Sequence, residues 1–167
     1  MFYNPYVVSF FGHRRIPSQT RRELEEELDK LIIDIINQKD EIEFIVGYGG
    51  DFNILATSAV KRMKNFSCEN NSELTLILPY ENKTLTDNSD SFMDFFDWVC
   101  VCEESESVYP KRAYEVCNRY MIDESDLAVF FIDQPSGGAY KAYRYAQSKS
   151  VKTINLGALD DKTAQMK

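Results

Sequence analysis

The strongest constraint on this chain is an alternation of two apolar patterns. Short apolar runs of strand length take turns with longer segments whose apolar residues recur at helical spacing. Tyr6 to Phe11 (YVVSFF) is the first run and stops at Gly12. Leu24, Leu28, Leu31, Ile32, Ile35 and Ile36 then share one helical face, ending near Asn37. Thr20 and Glu23 have the spacing of a capping box for this helix, with Ser18 as the alternative cap. Glu43 to Val46 is the second strand, and Leu55, Ala56, Ala59, Val60 and Met63 mark the second helix. Leu74 to Leu78 (LTLIL) is the third strand, stopped by Pro79. Pro110 suits the start of a third helix over about Lys111 to Glu124. Leu127 to Ile132 (LAVFFI) is a fourth strand. Ser136-Gly137-Gly138 opens a last helix to about Lys149, and Thr153 to Leu156 is a final strand.

This order predicts an α/β fold with a mostly parallel central sheet and helices on both faces. Two stretches fall outside the pattern. Glu81 to Ser91 is polar and reads as an exposed loop. Phe92 to Cys102 is aromatic and fits a short helix, a short strand or both. At 167 residues, one domain is expected over 1–167, with its core at about 6–156 and a polar tail at 157–167.

Charge narrows the partners. A formal net charge of -8 argues against a general DNA-binding or anionic-membrane surface, because phosphates repel an acidic protein. Nucleic acid is therefore not an expected partner. A small anion is compatible, because it needs only a local positive pocket. No apolar run approaches the roughly 20 residues that span a bilayer. Residues 1–12 lack the layout of a signal peptide. These features point to the cytoplasm and to no membrane partner. Cys68, Cys100, Cys102 and Cys117 form no CxxC pair, and His13 is the only histidine, so free thiols and no metal site are expected.

In an open parallel sheet, ligands bind beyond the carboxyl ends of the strands, where the strand order switches. The residues due at that edge are Gly12, His13 and Arg14 after the first strand and Gly47, Gly49, Gly50 and Asp51 after the second. Pro79-Tyr80 follows the third strand, and Asp133 with Ser136, Gly137 and Gly138 follows the fourth. Glycine before a helix lets backbone N–H groups approach a phosphate, and the helix start adds unpaired donors. Tight turning alone also explains such glycines. Neither turn is a P-loop or a GxGxxG. Arg112 and Arg119 lie seven apart on the third helix, with Asn118 beside them, and suit phosphate; a Glu115–Arg119 ion pair is the plainer alternative. His13 fits either a ligand contact or a structural role, and Asp51 either ribose binding or helix capping. Tyr140 fits either base stacking or core packing.

Taken in order, FFGHR at 10–14, VGYGGDF at 46–52, LPY at 78–80, YPKR at 109–112, NRYMIDESD at 118–126 and SGGAYKAYRYA at 136–146 resemble the SLOG superfamily. The similarity is to its small bacterial GHR-motif members, and it runs from about Tyr6 to Leu156. The resemblance implies a Rossmann-like three-layer sandwich with a nucleotide-derivative pocket. The superfamily includes cytokinin-activating phosphoribohydrolases of the LOG type, DNA-processing proteins of the Smf/DprA type and sensors of ADP-ribose-like signals. Arg119 and Met121 look like the arginine-methionine element of the phosphoribohydrolases. Those enzymes then carry PGGxGTxxE. Here the stretch from Pro135 to Ala142 reads PSGGAYKA, without that threonine and glutamate.

The leading expectation is a binding protein for a nucleotide-derived ligand, ADP-ribose-like or a nucleoside phosphate, acting as a sensor or sequestering protein. Its site residues are Gly12, His13, Arg14, Gly47, Gly49, Gly50, Asp51, Arg112, Asn118, Arg119, Ser136, Gly137 and Gly138, and no further cofactor is required. The alternative is a nucleotide N-glycosidic hydrolase, for which Arg119, Asp51 and Asp133 are the catalytic candidates. A DNA-processing-type nucleic-acid binder is the second alternative. A homo-oligomer stays open, since Phe92 to Trp98 fits an interface or core packing.

Overall fold

The apolar runs pair edge to edge into one sheet. The computed structural model describes residues 3–83, 87 and 94–159. Its elements are β1 (Tyr6–Gly12), α1 (Ser18–Gln38), β2 (Ile42–Gly47), α2 (Asp51–Ser67), β3 (Ser72–Leu78) and β4 (Trp98–Val101), followed by the short α3 (Glu103–Glu106), α4 (Pro110–Asp123), β5 (Leu127–Phe131), α5 (Gly137–Ser148) and β6 (Lys152–Asn155). The six strands run in the order β4-β3-β2-β1-β5-β6, and every pairing is parallel.

A parallel sheet covered on both faces needs strands that are apolar on both faces. β5 meets that demand with every residue buried. Alternate side chains of β1 divide between two cores. Val8 and Phe10 join Leu24, Leu28, Ile32 and Ile36 of α1 and Ala56, Ala59 and Val60 of α2. Phe11 joins Met121 and Ile122 of α4 and Tyr143 and Ala146 of α5. The result is a three-layer sandwich with α1 and α2 on one face and α4 and α5 on the other. Tyr140 packs against this second core.

One local expectation changes and one open reading is resolved. The Thr20–Glu23 capping box does not form. α1 starts at Ser18 with Pro17 in the cap position, and the Thr20 hydroxyl donates to the Pro17 carbonyl at 2.8 Å. The open stretch after residue 91 ends in a strand: β4 pairs with β3, Trp98 opposite Thr75. Only one neighbour covers this edge strand, so its residues alternate between exposed and half-buried although all four, Trp98 to Val101, are apolar. The expected loop at 81–91 and the start of the aromatic stretch, at Phe92, lie largely outside the described residues, as does most of the tail at 157–167.

Among the described residues, no helix is long and apolar enough to cross a membrane. The four cysteines are free. Burial and the neighbouring Cys102 push the Cys117 thiol up to about 12, so it stays protonated at neutral pH.

Candidate functional site

β1 lies at the centre of the sheet, with β2 on one side and β5 on the other. The chain leaves β1 towards α1 on one face and leaves β5 towards α5 on the other. That divergence opens a cleft of about 510 Å³ at the carboxyl ends of the strands. Phe10 and Phe11 reach its floor. The β1 end supplies Gly12, His13, Arg14 and Arg15; the β2 end supplies Gly47, Tyr48 and Gly49. Tyr114 and Asn118 face it from α4, and Gln134, Ser136, Gly137 and Gly138 close it above β5.

The walls are set by the backbone. Gly12 is required by close packing: a Cβ there would run into the Phe52 ring. Gly49 and Gly137 adopt positive φ, +84° and +91°, and an added Cβ would meet nothing within 4 Å at either. No side chain therefore stands between the backbone at these two positions and the cleft, which is what close approach of a ligand needs. α5 begins at Gly137, so its first-turn N–H groups lack partners inside the helix and its positive end lies at the cleft.

His13 is buried, 9% exposed. Its Nε2 accepts the Asp133 backbone N–H at 3.3 Å and lies 3.2 Å from Asp133 Oδ1. Burial lowers the His13 pKa below its ordinary 6.5, and the Asp133 charge only partly offsets this. The unfolded chain therefore binds the proton more tightly than the folded one. The His13 contribution to stability is present above pH 6.5 and is lost as pH falls through the folded-state value. The wild type is expected to lose melting temperature relative to His13→Gln as pH falls below about 6.5. Melting curves across that range for both chains check this; a constant difference would rule it out.

Asp51 turns away from the cleft. Its Oδ2 accepts the Ile16 N–H at 2.9 Å and the Arg21 guanidinium at 2.8 Å, and its own N–H donates to the Arg14 carbonyl at 2.8 Å. It ties the loop after β1 to the start of α2. Gly50, at φ +86°, lets this contact form: a Cβ there would stand 3.3 Å from Arg14 Cα. Gly50 and Asp51 thus shape the loop that carries Arg14, but they do not line the cleft.

α4 separates its polar residues by angle. Tyr114 and Asn118 are four apart and share the cleft face. Arg119 is about 100° further round the helix. It lines a flanking depression with Lys111 and Lys141, holds Glu115 at 2.9 Å and lies over the Tyr145 ring at 5.0 Å. Arg112 is exposed and does not line the cleft. Met121 is fully buried in the core. Asp133 stands beside His13, and neither Asp51 nor Asp133 lines the depression that holds Arg119. Among the described residues that line the cleft, none is Asp or Glu.

Several lining residues fall outside the expected set, Arg15, Gln134, Tyr48, Asn53 and Tyr114 among them. Tyr48 is hidden inside a glycine turn, Asn53 looks like an ordinary helix residue, and Tyr114 reads as part of an amphipathic face. Tyr114 packs edge-on to Tyr80 at 6.1 Å, and the Arg14 guanidinium lies 6.0 Å from its ring centre. The four-residue spacing of Tyr114 and Asn118 was the available signal.

No protein-family model and no curated protein matches the sequence. The fold does have solved counterparts. DNA processing protein A from Helicobacter pylori, described for its single-stranded DNA binding mode, superposes with a TM-score of 0.61 at 15% identity, covering 91% of this chain and 65% of that one. DNA processing protein A from Streptococcus pneumoniae superposes at 0.62 and 12% identity, covering 96% of this chain and 53% of that one. This chain thus spans less than two thirds of the length of either. At these identities the likeness shows a shared Rossmann-like fold. It also corrects one expectation. Net charge set nucleic acid aside as a partner, yet a protein of this fold is described as binding single-stranded DNA. The charge of a whole chain does not describe one groove, and Arg14 and Arg15 line this one without an acidic neighbour in its wall.

Proposed function

We propose that the cleft binds a nucleotide-derived ligand, ADP-ribose-like or a nucleoside phosphate, and that the protein senses or sequesters it. One observation carries this reading: on a chain of net charge -8, two arginines, an open glycine turn and the positive end of α5 meet in a cleft whose described lining holds no carboxylate. A helix start with glycines at it favours phosphate, and Arg14 and Arg15 add charge and planar donors. The cleft volume suits a small organic ligand. The narrower assignment to the GHR-motif group rests on FFGHR and the ordered motifs that follow it.

N-glycosidic hydrolysis finds less support. That chemistry needs a carboxylate near the anomeric carbon to protonate the leaving base or stabilise the cation. Asp51 is engaged with Ile16 and Arg21, Asp133 with His13, and Glu115 with Arg119. A segment of single-stranded nucleic acid is the second reading, favoured by the likeness to the Helicobacter pylori protein. Tyr48 and Tyr114 would then offer faces for bases and the two arginines would take the backbone.

A thermal-shift screen against ADP-ribose, NAD, AMP and an oligothymidine, with mass spectrometry of each incubated ligand, separates these readings. A ligand at a hundred times its Kd adds about 2.7 kcal/mol to folding stability. A shift with intact nucleotide recovered is the expected result. Release of free base would instead establish the hydrolase. A shift with the oligonucleotide alone would select the nucleic-acid reading. No shift with any of them would overturn the proposal.

A further inference from the structure

The cleft has a neighbour between α4 and α5, a depression of about 150 Å³. Tyr114, Asn118 and Gly138 belong to both walls, so the two spaces adjoin. Helical spacing brings the charged residues in. On α4, Lys111 lies four residues before Glu115, and Arg119 four after it; on α5, Lys141 lies three after Gly138.

The wall is cationic where the chain is acidic. Lys111, Arg119 and Lys141 line it against one carboxylate, Glu115. That carboxylate is already engaged, because it accepts from the Arg119 guanidinium at 2.9 Å. Arg119 also lies over the Tyr145 ring at 5.0 Å, and the Tyr145 hydroxyl donates to Asp123 at 2.8 Å. Arg119 and Glu115 therefore offset each other. Among the described residues neither Lys111 nor Lys141 has an ion-pair partner, so two positive charges, one from each helix, stand unbalanced on a chain of net charge -8. Two ammonium groups in one hollow repel each other, and an anion between them is attracted by both. At Gly138 an added Cβ would meet nothing within 4 Å, so no side chain covers the start of α5 on this side.

We propose that the depression is a second phosphate subsite and that the ligand is a bisphosphate, with one phosphate in the cleft and a separate phosphomonoester here. This rests on the reading of the cleft as a phosphate site. A terminal phosphate brings nearly two negative charges and three acceptor oxygens, which match two lysines; a carboxylate brings one charge. Tyr114 and Asn118 stand in both walls and divide the two anions. Phosphates on separate carbons are spaced in that way, whereas the two halves of a diphosphate share one oxygen.

The test titrates AMP, ADP and adenosine 3′,5′-bisphosphate into the protein by calorimetry at low ionic strength. On so acidic a chain an added phosphate weakens binding unless a local site takes it. The bisphosphate is nevertheless expected to bind about fivefold or more tightly than AMP, since an exposed cation contributes about twofold to fivefold and two are present. ADP is expected to fall short of the bisphosphate. Lys111→Gln with Lys141→Gln should bring the bisphosphate down to the level of AMP. AMP itself should bind this double variant as it binds the wild type, which also shows that the variant is folded. Equal binding of bisphosphate and AMP by the wild type would overturn the subsite and leave the cleft reading intact. So would a preference that survives in the double variant, or ADP binding as tightly as the bisphosphate. A dithymidylate that binds more tightly than the bisphosphate, and loses that advantage in the double variant, would give the depression to a nucleic-acid strand and overturn the monoester. If none of the mononucleotides bound the wild type, the cleft reading and the subsite would both fall.

Discussion

Phe52→Ala is expected to destabilise the chain by about 3–5 kcal/mol, the usual cost of removing a buried phenylalanine ring. Phe52 is fully buried in the first turn of α2. It stacks on Phe131 at 6.1 Å between ring centres, and it fills the space where a Gly12 side chain would stand. The ring therefore joins three elements, α2, the end of β1 and the end of β5. Those two strand ends are where the cleft opens. Its loss leaves a cavity under the cleft wall, and the surrounding backbone can close it only by moving the Gly12 or Phe131 segments. Denaturant unfolding of the two chains measures the cost.

A double substitution isolates the contact. Gly12→Ala alone adds a methyl group where the Phe52 ring stands, and overpacking of this kind costs roughly 1–3 kcal/mol. In the Phe52→Ala background two of the three close contacts go, while the Cβ of residue 52 stays within the overlap and must give way. The second substitution should then cost less than it does alone, because the ring atoms that share the overlap are gone. Coupling of that size is expected only for residues in direct contact. Additive effects within about 0.5 kcal/mol would show that Gly12 is glycine for some other reason than the ring beside it.

The fold was legible because its determinants are local and repeated. Strands buried on both faces are apolar almost throughout, so LAVFFI at 127–132 and LTLIL at 74–78, with Thr75 as its one polar member, announce themselves. α1 does the same through Leu24, Leu28, Ile32 and Ile36. β4 was legible only as one of two options, because Trp98 to Val101 is an apolar run too short to tell strand from helix and has no bounding turn signal. The site divided along the same line. Glycines and basic residues at strand ends follow from topology, and the structure brings Gly12, His13, Arg14, Gly47, Gly49, Asn118, Ser136, Gly137 and Gly138 to one cleft. Asp51 is different. The sequence places it at the start of α2, but only the packing of the β1 loop supplies Ile16 and Arg21 to consume its carboxylate. Arg112 and Arg119 failed to reach the cleft for a geometric reason. Seven-residue spacing places two side chains on one face of a helix, yet it does not say which face looks at the sheet edge. Tyr114 and Asn118 hold that face.

The largest expected effect on ligand binding therefore falls on Arg14. Its backbone is anchored, since its carbonyl accepts the Asp51 N–H at 2.8 Å, while its side chain is exposed along the cleft. Among the described residues no carboxylate pairs with it, so its guanidinium charge stays available to an anion. Arg119 is committed to Glu115 and stacked over Tyr145. Arg14→Ala is therefore expected to weaken AMP binding by about tenfold to a hundredfold, the worth of a hydrogen bond to a charged group. The melting temperature of the free protein should stay close to wild type, because an exposed side chain without an ion pair contributes little to folding. Arg119→Ala should weaken AMP binding by a smaller factor. Titration of AMP into the three proteins decides between them. A larger loss in Arg119→Ala than in Arg14→Ala would place the phosphate in the depression beside α4, with Lys111 and Lys141, and not at the end of β1.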